Sequence, residues 1–157
     1  MSDLDSIDLK ILRILQRDGR IATTDLAEQV GLSATPCARR LKRLEEEGFI
    51  RGYHASLDAK KVGCGLQAFV QIKLGDHAEK TVAAFEAALL RRPEVVACYA
   101  VTGSSDFLIH VMTSDLDALG EFSTRTLLRM PGVRDTQSSI VLSVVKADTA
   151  VPLNIAS

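Results

Sequence analysis

Apolar residues recur every three or four positions through the first third of the chain, and later switch to strict alternation. Ile7, Ile11, Ile14 and Leu15 mark one side of a helix that Asp18-Gly19 stops. Asp5 is placed to cap it, with Asp8 three residues on as a short capping box and Leu4 and Leu9 as the hydrophobic staple. A second, shorter helix is expected from about Thr23-Thr24-Asp25, with Leu26, Ala27 and Val30 as its apolar side and Gly31 at its end. The tight turn Gly31-Leu32-Ser33 leads into a third helix, with Pro36 in its first turn, where a missing N–H does no harm, and an end at Gly48. Three short helices with a tight turn between the second and third form a helix-turn-helix pattern. Residues 49–57 then read as extended, like a wing or a linking strand.

Past residue 62 the period changes. Ala68, Val70, Ile72 and Leu74 alternate with Phe69, Gln71 and Lys73, which predicts a strand. A helix is expected over 79–92, strands over 95–101 and 107–112, a second helix over 115–130 and a long final strand over 133–146. The order βαββαβ describes an antiparallel sheet with helices on one face, a ferredoxin-like arrangement. The chain therefore reads as α+β in two domains: a helix-turn-helix domain over 1–57, a polar linker over 58–64, and a second domain over 65–157.

Composition adds exclusions. The chain has 157 residues, 46% hydrophobic and 25% charged, close to the globular average. No charge-free stretch reaches the ~20 residues of a membrane span, and the acidic start lacks a basic region before an apolar one, so a cytoplasmic location and no membrane partner are expected. The net charge of −1 supplies no overall positive field. Locally the picture differs: Arg39, Arg40, Lys42 and Arg43 stand together in 33–44 without an acid. Cys37, Cys64 and Cys98 are widely spaced and form no CxxC, which suits buried reduced thiols better than a disulfide frame or metal site.

On a helical wheel at about 100° per residue, Ala34, Cys37, Ala38 and Leu44 fall within about 60° of Leu41, and Thr35, Pro36, Arg39 and Arg43 lie opposite. An apolar back with arginines and small polar groups in front is what a recognition helix needs. Arg39 or Arg43 could contact guanine bidentately, and Arg40 and Lys42 suit phosphates. With Ser33, Thr35 and Pro36 these form the expected DNA-contacting set; the alternative is a solvated, salt-bridged helix face. Four charges on one small domain bind weakly, so useful specificity requires several copies on one duplex, hence a homo-oligomer.

These motifs are similar to those of the Lrp/AsnC (feast/famine) transcription regulators over essentially the whole chain. The resemblance rests on Leu4-Asp5-Ser6-Ile7-Asp8, on residues 32–44 of the third helix, on Gly48-Phe49-Ile50, on Gly103-Ser104-Ser105-Asp106-Phe107 and on residues 128–133. It implies a winged helix-turn-helix domain followed by a ferredoxin-like (RAM) domain, dimers through the C-terminal sheets and assembly to octamers. It also implies an amino-acid effector bound between C-terminal domains, with the Gly-x-x-Asp loop supplying much of the site. One departure is Phe107, where the family often has Tyr, which removes a hydroxyl.

An amino-acid effector brings a carboxylate and an ammonium that both need partners when buried. Gly103 lets backbone N–H groups approach the carboxylate, Asp106 is the expected ammonium partner, and Thr102, Ser104 and Ser105 stand nearby. From across an interface, Thr136, Gln137 and Ser138 could close the pocket. The alternative for the loop is a plain β-turn. Gly63-x-Gly65-x-x-Ala68 fits a dinucleotide pattern but precedes a strand where that loop must follow one. His54, His77 and His110 lack metal-ligand spacing, and no catalytic constellation is visible. The reading is thus a non-enzyme: a sequence-specific regulator of amino-acid metabolism that needs no cofactor beyond its effector. Its rivals are an architectural DNA-binding protein and a regulatory ferredoxin-like domain of an enzyme system.

Overall fold

The computed structural model describes residues 4–147 and 150–153. Its described residues fall into two compact units, one running to Ser56 and rejoined from Lys146 onward, the other Leu57–Val145.

The first unit contains α1 (Ser6–Leu15), α2 (Thr23–Val30) and α3 (Ala34–Glu46). The expected capping box is present: the Asp5 carboxylate accepts from the N–H groups of Ile7 (2.9 Å) and Asp8 (2.8 Å), and Asp8 accepts from Asp5 N–H at 3.2 Å. Between α2 and α3, Gly31 turns the chain at φ 74°, and Leu32 N–H returns to Ala27 O at 2.9 Å. Ile11, Leu26, Ala27, Val30, Cys37 and Leu44 form the core, with Leu41 partly buried against it. Ala34 and Ala38, expected on the packing side of α3, are exposed. The buried side is centred on Cys37 and Leu44, which turns the outward side toward Thr35, Ala38, Arg39 and Lys42. Residues 49–57 form no regular strand.

The end of the chain also departs from expectation, which placed everything past 65 in the second domain. The Gln16 side-chain amide holds the main chain of Val151: its Nε2 donates to Val151 O at 3.2 Å, and its Oε1 accepts from Val151 N–H. Two reciprocal bonds from one amide satisfy both main-chain groups of Val151.

The second unit holds β1 (Leu66–Leu74), α4 (Glu79–Leu89), β2 (Val95–Ala100), β3 (Phe107–Thr113), α5 (Leu116–Glu121) and β4 (Val133–Ile140). The sheet order is β2-β3-β1-β4 with every pair antiparallel, as a βαββαβ order demands. Ala68, Val70, Ile72 and Leu74 pack with Phe107, Ile109 and Val111 against Phe85 and Leu89 of α4 and Leu119 of α5. The opposite face carries Phe69, stacked on His110 with ring centroids 4.7 Å apart, and Tyr99, which is 56% exposed. Residues 58–64, expected as a linker, form a compact turn in which Cys64 N–H donates to Ala59 O at 2.8 Å.

Three further expectations change. The helix over 115–130 is α-helical only to Glu121; Phe122–Thr126 widens to a π-turn and Leu127–Arg129 tightens to 3₁₀. Phe122 and Leu127 are both buried yet five apart, which a regular helix would separate by about 140°; the wider turn brings them to one side. Thr124 Oγ1 bonding to Gly120 O at 2.7 Å helps bend the segment. The final strand ends at Ile140, because Ile140 pairs with Ala68 and β1 begins only two residues before that. Val141 N–H makes the last bond, to Gln67 O, and Leu142 and Val145 stand almost fully exposed. Of the three cysteines only Cys37 is buried; Cys64 is half-buried and Cys98 lies exposed on β2.

Candidate functional site

The outward side of α3 sorts the expected DNA-contacting residues into two groups. Arg40 pairs with Asp5 (2.6 Å) and Asp8 (2.9 Å), and Arg43 pairs with Asp8 (2.5 Å). Asp8 is fully buried at the start of α1, so these two cations fasten α3 to α1. Their guanidinium groups thus each have a carboxylate to neutralise inside the unit. The Asp8 N–H, and then Arg40, hold the Asp5 carboxyl below its ordinary value, and Asp5 followed by Asp8 pushes Arg40 up.

Arg39 is exposed and makes no ion pair among the described residues. Lys42 reaches Glu46 at 3.5 Å, but both side chains are mostly exposed and the pair is easily exchanged for another anion. Arg39, Arg40, Lys42 and Arg43 line one shallow depression with Asp5 and Glu46. Ser33, Thr35 and Pro36 stand outside it. Ser33 takes the N-cap position of α3 without a side-chain bond, Thr35 is exposed and Pro36 half-buried. The N-terminal half of α3 thus presents small groups and one unpaired arginine, and its acidic end, Glu45-Glu46-Glu47, is set apart along the axis.

In the second unit the loop between β2 and β3 meets the first half of β4 across β1. A cavity of about 240 Å³ lies there, lined by Gln71, Lys73, Ser104, Ser105, Arg134, Asp135, Thr136 and Gln137 among others. Four expected effector residues, Ser104, Ser105, Thr136 and Gln137, therefore come together. Thr102, Gly103, Asp106 and Ser138 do not line it. Ser138 sits opposite Val70 in the ladder, one alternation away from Gln137, which pairs with Gln71.

Asp106 has other work. Its Oδ2 accepts from Leu74 N–H at 2.7 Å and its Oδ1 meets His77 Nε2 at 2.8 Å, and its N–H donates to Ile72 O at 2.9 Å. The Leu74 N–H first, and His77 second, hold its carboxyl below the ordinary value. Both oxygens are thus engaged within the unit. Lys73, Arg134 and Asp135 are the charged groups the sequence reading missed. Arg134-Asp135 directly precede Thr136, and the pairing of Lys73 with Asp135 across β1 and β4 adds a second cation to the cavity.

Among the described residues, no group of three or more His, Cys, Asp or Glu comes together to hold a metal ion, and no helix is long and apolar enough to cross a membrane.

Comparison with known proteins assigns both units. Residues 4–51 match the family described as winged helix-turn-helix DNA-binding, and residues 67–151 match the Lrp/AsnC ligand binding domain. The Bkd operon transcriptional regulator of Pseudomonas aeruginosa is 42% identical over 153 residues, spanning 98% of this chain and 100% of that protein. The leucine-responsive regulatory protein of Escherichia coli K12 is 42% identical over 144 residues, 92% of this chain and 88% of the relative. Among solved structures, a transcriptional regulator of Neisseria meningitidis in complex with L-Met superposes with a TM-score of 0.94 at 43% identity, covering 97% of this chain and 98% of that one.

Proposed function

Because the chain belongs to the Lrp/AsnC family of transcription regulators, we propose that it binds duplex DNA through α3 as a homo-oligomer and that an amino acid held at the cavity between the β2–β3 loop and β4 adjusts that binding. The observation that carries the reading is the division of labour on α3. Arg40 and Arg43 anchor the helix to buried Asp8, leaving Arg39, Lys42 and Thr35 turned outward. Arg39 reads a base edge in the major groove, Lys42 neutralises phosphate, and the small groups of the first turn allow close approach.

The cavity has groups for both ends of a zwitterion: Lys73 and Arg134 for a carboxylate, Asp135 for an ammonium, with Ser104, Ser105 and Gln137 for remaining hydrogen bonds. At about 240 Å³ it falls below the ~300–1,000 Å³ of enclosed ligand sites, which supports a pocket completed by a second copy. The open sheet face, with Phe69 and Tyr99 still exposed, supplies apolar surface for pairing. An effector at such a contact binds one assembly state better than another, and so changes how many α3 helices reach one duplex. The protein works in the cytoplasm on this reading, and we assign it no reaction and no cofactor beyond the effector.

Footprinting with variants tests the DNA half. Arg39→Ala is expected to lose about 1–3 kcal/mol at particular base positions, and Lys42→Ala to weaken all sequences alike and flatten the salt dependence. Protection recurring at about one helical turn or its multiples distinguishes this from architectural binding, which covers DNA uniformly. A thermal-shift screen of the twenty amino acids, repeated on Asp135→Ala, tests the effector half: a stabilising amino acid loses its effect in the variant. Identical footprints for Arg39→Ala and Lys42→Ala refute the assignment on α3.

A further inference from the structure

We propose, resting on the effector reading of the cavity at the β2–β3 loop, that its ligand is an acidic amino acid, an α-amino acid with a second carboxylate, and that Arg134 selects it. The sheet breaks its register beside this cavity. Lys73 pairs with Asp135 across β1 and β4, and the next pair is Leu74 with Val133, so Arg134 is an extra residue on β4 without a partner on β1. Successive residues of a regular strand point to opposite faces. Here Arg134 and Asp135 both line the cavity, because the bulge re-aims one of the two side chains, a device that recurs beside active sites.

The balance of charge sets the chemistry. Lys73 and Arg134 bring two cations to the wall and Asp135 one acid. Neither cation makes an ion pair among the described residues. The Asp106 carboxyl feels the charge of Lys73, but its two oxygens are already taken by Leu74 N–H and His77. The main-chain end of any amino acid carries one carboxylate and one ammonium. Lys73 and Asp135, opposite each other in the ladder, match that pair, and Arg134 is left over. A second carboxylate supplies the anion that Arg134 lacks, and a planar guanidinium holds such a group with two parallel hydrogen bonds.

The uncharged groups lean the same way. Ser105 Oγ donates to Gln71 Oε1 at 2.9 Å, which uses the amide oxygen and leaves the Gln71 amide nitrogen as a donor. Asp135 Oδ1 accepts from Thr136 N–H at 2.9 Å, which leaves Oδ2 for the ammonium. Among the described residues of the wall only Ile72 is apolar, and its side chain is fully buried in the core. A leucine-like or methionine-like side chain would meet only polar groups of this chain and could not offset their desolvation. A carboxylate meets donors.

The test titrates the full-length protein by calorimetry, at constant ionic strength and neutral pH, with sodium L-glutamate and L-aspartate and with their amides, L-glutamine and L-asparagine. At least one acid is expected to bind about tenfold or more tightly than its own amide, the size of a charge-assisted contact. Succinate, with two carboxylates and no ammonium, is expected to bind about tenfold or more weakly than that acid, which separates recognition from general attraction of anions. Arg134→Gln is expected to bring acid and amide within about twofold of each other, and Lys73→Gln to weaken both while keeping the acid ahead. Circular dichroism of both variants is expected to match the parent. An acid preference that survives Arg134→Gln, or succinate bound as tightly as the acid, overturns the inference. So does a parent without acid preference that binds L-leucine or L-methionine and loses that binding in Asp135→Ala, a result that leaves the effector reading standing. No binding by any of the twenty amino acids overturns both.

Discussion

Replacing Asp8 by alanine is the sharpest perturbation of the DNA-binding unit. The carboxylate is fully buried and serves three partners: Asp5 N–H, Arg40 and Arg43. Its loss leaves two guanidinium groups without their shared anion, in a unit where Arg43 Nε is already buried without an acceptor among the described residues. Breaking a buried ion pair from one side costs about 3–5 kcal/mol. Arg40 and Arg43 keep 29% and 39% of their side-chain surface in water, and Arg40 retains Asp5 at 2.6 Å, so the lower end, about 3 kcal/mol, applies. Asp5→Ala is the internal control. It removes a half-exposed cap and one exposed ion pair, worth about 1 kcal/mol. A unit of this size has only a few kcal/mol of stability, so Asp8→Ala is expected to populate the unfolded unit near physiological temperature. The two units need not unfold together, so the measurement is urea-dependent hydrogen exchange resolved to amides of α1–α3 and, separately, of the sheet. The expected result is a large loss confined to the first unit for Asp8→Ala and a small one for Asp5→Ala. A loss under 1 kcal/mol for Asp8→Ala, or an equal loss for the two variants, refutes the view that Arg40 and Arg43 are anchored by a buried acid.

Gly132 and Gly31 share φ 74°, but a Cβ on Gly132 would run into Thr81 whereas one on Gly31 meets open space. Gly31→Ala is therefore expected to cost about 1–2 kcal/mol for the left-handed backbone alone, and Gly132→Ala about 1–3 kcal/mol more from the collision, by urea denaturation; equal losses would contradict the packing at Gly132. Tyr53 is pushed up to about 12, by burial first and by its 2.9 Å bond to Glu45 second. The folded state holds the phenol proton more tightly than the unfolded chain does, so this contribution is full below pH 10 and is lost as pH rises through about 12. Tyr53→Phe is expected to show a shallower alkaline decline than the parent between those values, and parallel curves would remove Tyr53 from the account. Asp106 has the opposite sign: its depressed carboxyl stabilises the folded chain above the ordinary carboxylate value, and that contribution is lost as pH falls through the folded value. Asp106→Ala is expected to cost about 1–3 kcal/mol at neutral pH by stranding Leu74 N–H, and to narrow its gap to the parent on acidification; a constant gap speaks against the charged form being the partner.

Much of the chain is legible because its signals are local. The capping box at Asp5 and Asp8, the turn at Gly31 and the alternation of Ala68, Val70, Ile72 and Leu74 each depend on neighbours within a few residues, and each takes the expected form. Signals fail where a distant partner intervenes. The apolar run 140–145 reads as strand by composition, yet β1 has no residue left to pair with most of it. The helix over 115–130 is continuous by pattern, yet the core demands both Phe122 and Leu127 on one side.

The two sites divide the same way. That α3 is a basic helix with an apolar back follows from residue order alone, because helical spacing converts order into faces. Which of its cations are free does not: Arg40 and Arg43 lie 35 positions from Asp5 and Asp8 respectively, and only the packing of α3 on α1 turns them inward. Likewise, the sequence marks the Gly-x-x-Asp loop, but the sheet register takes Asp106 away to Leu74 and His77 and brings Asp135 opposite Lys73. A charge acts over the few ångströms that tertiary structure sets, so its role is decided after the fold is made.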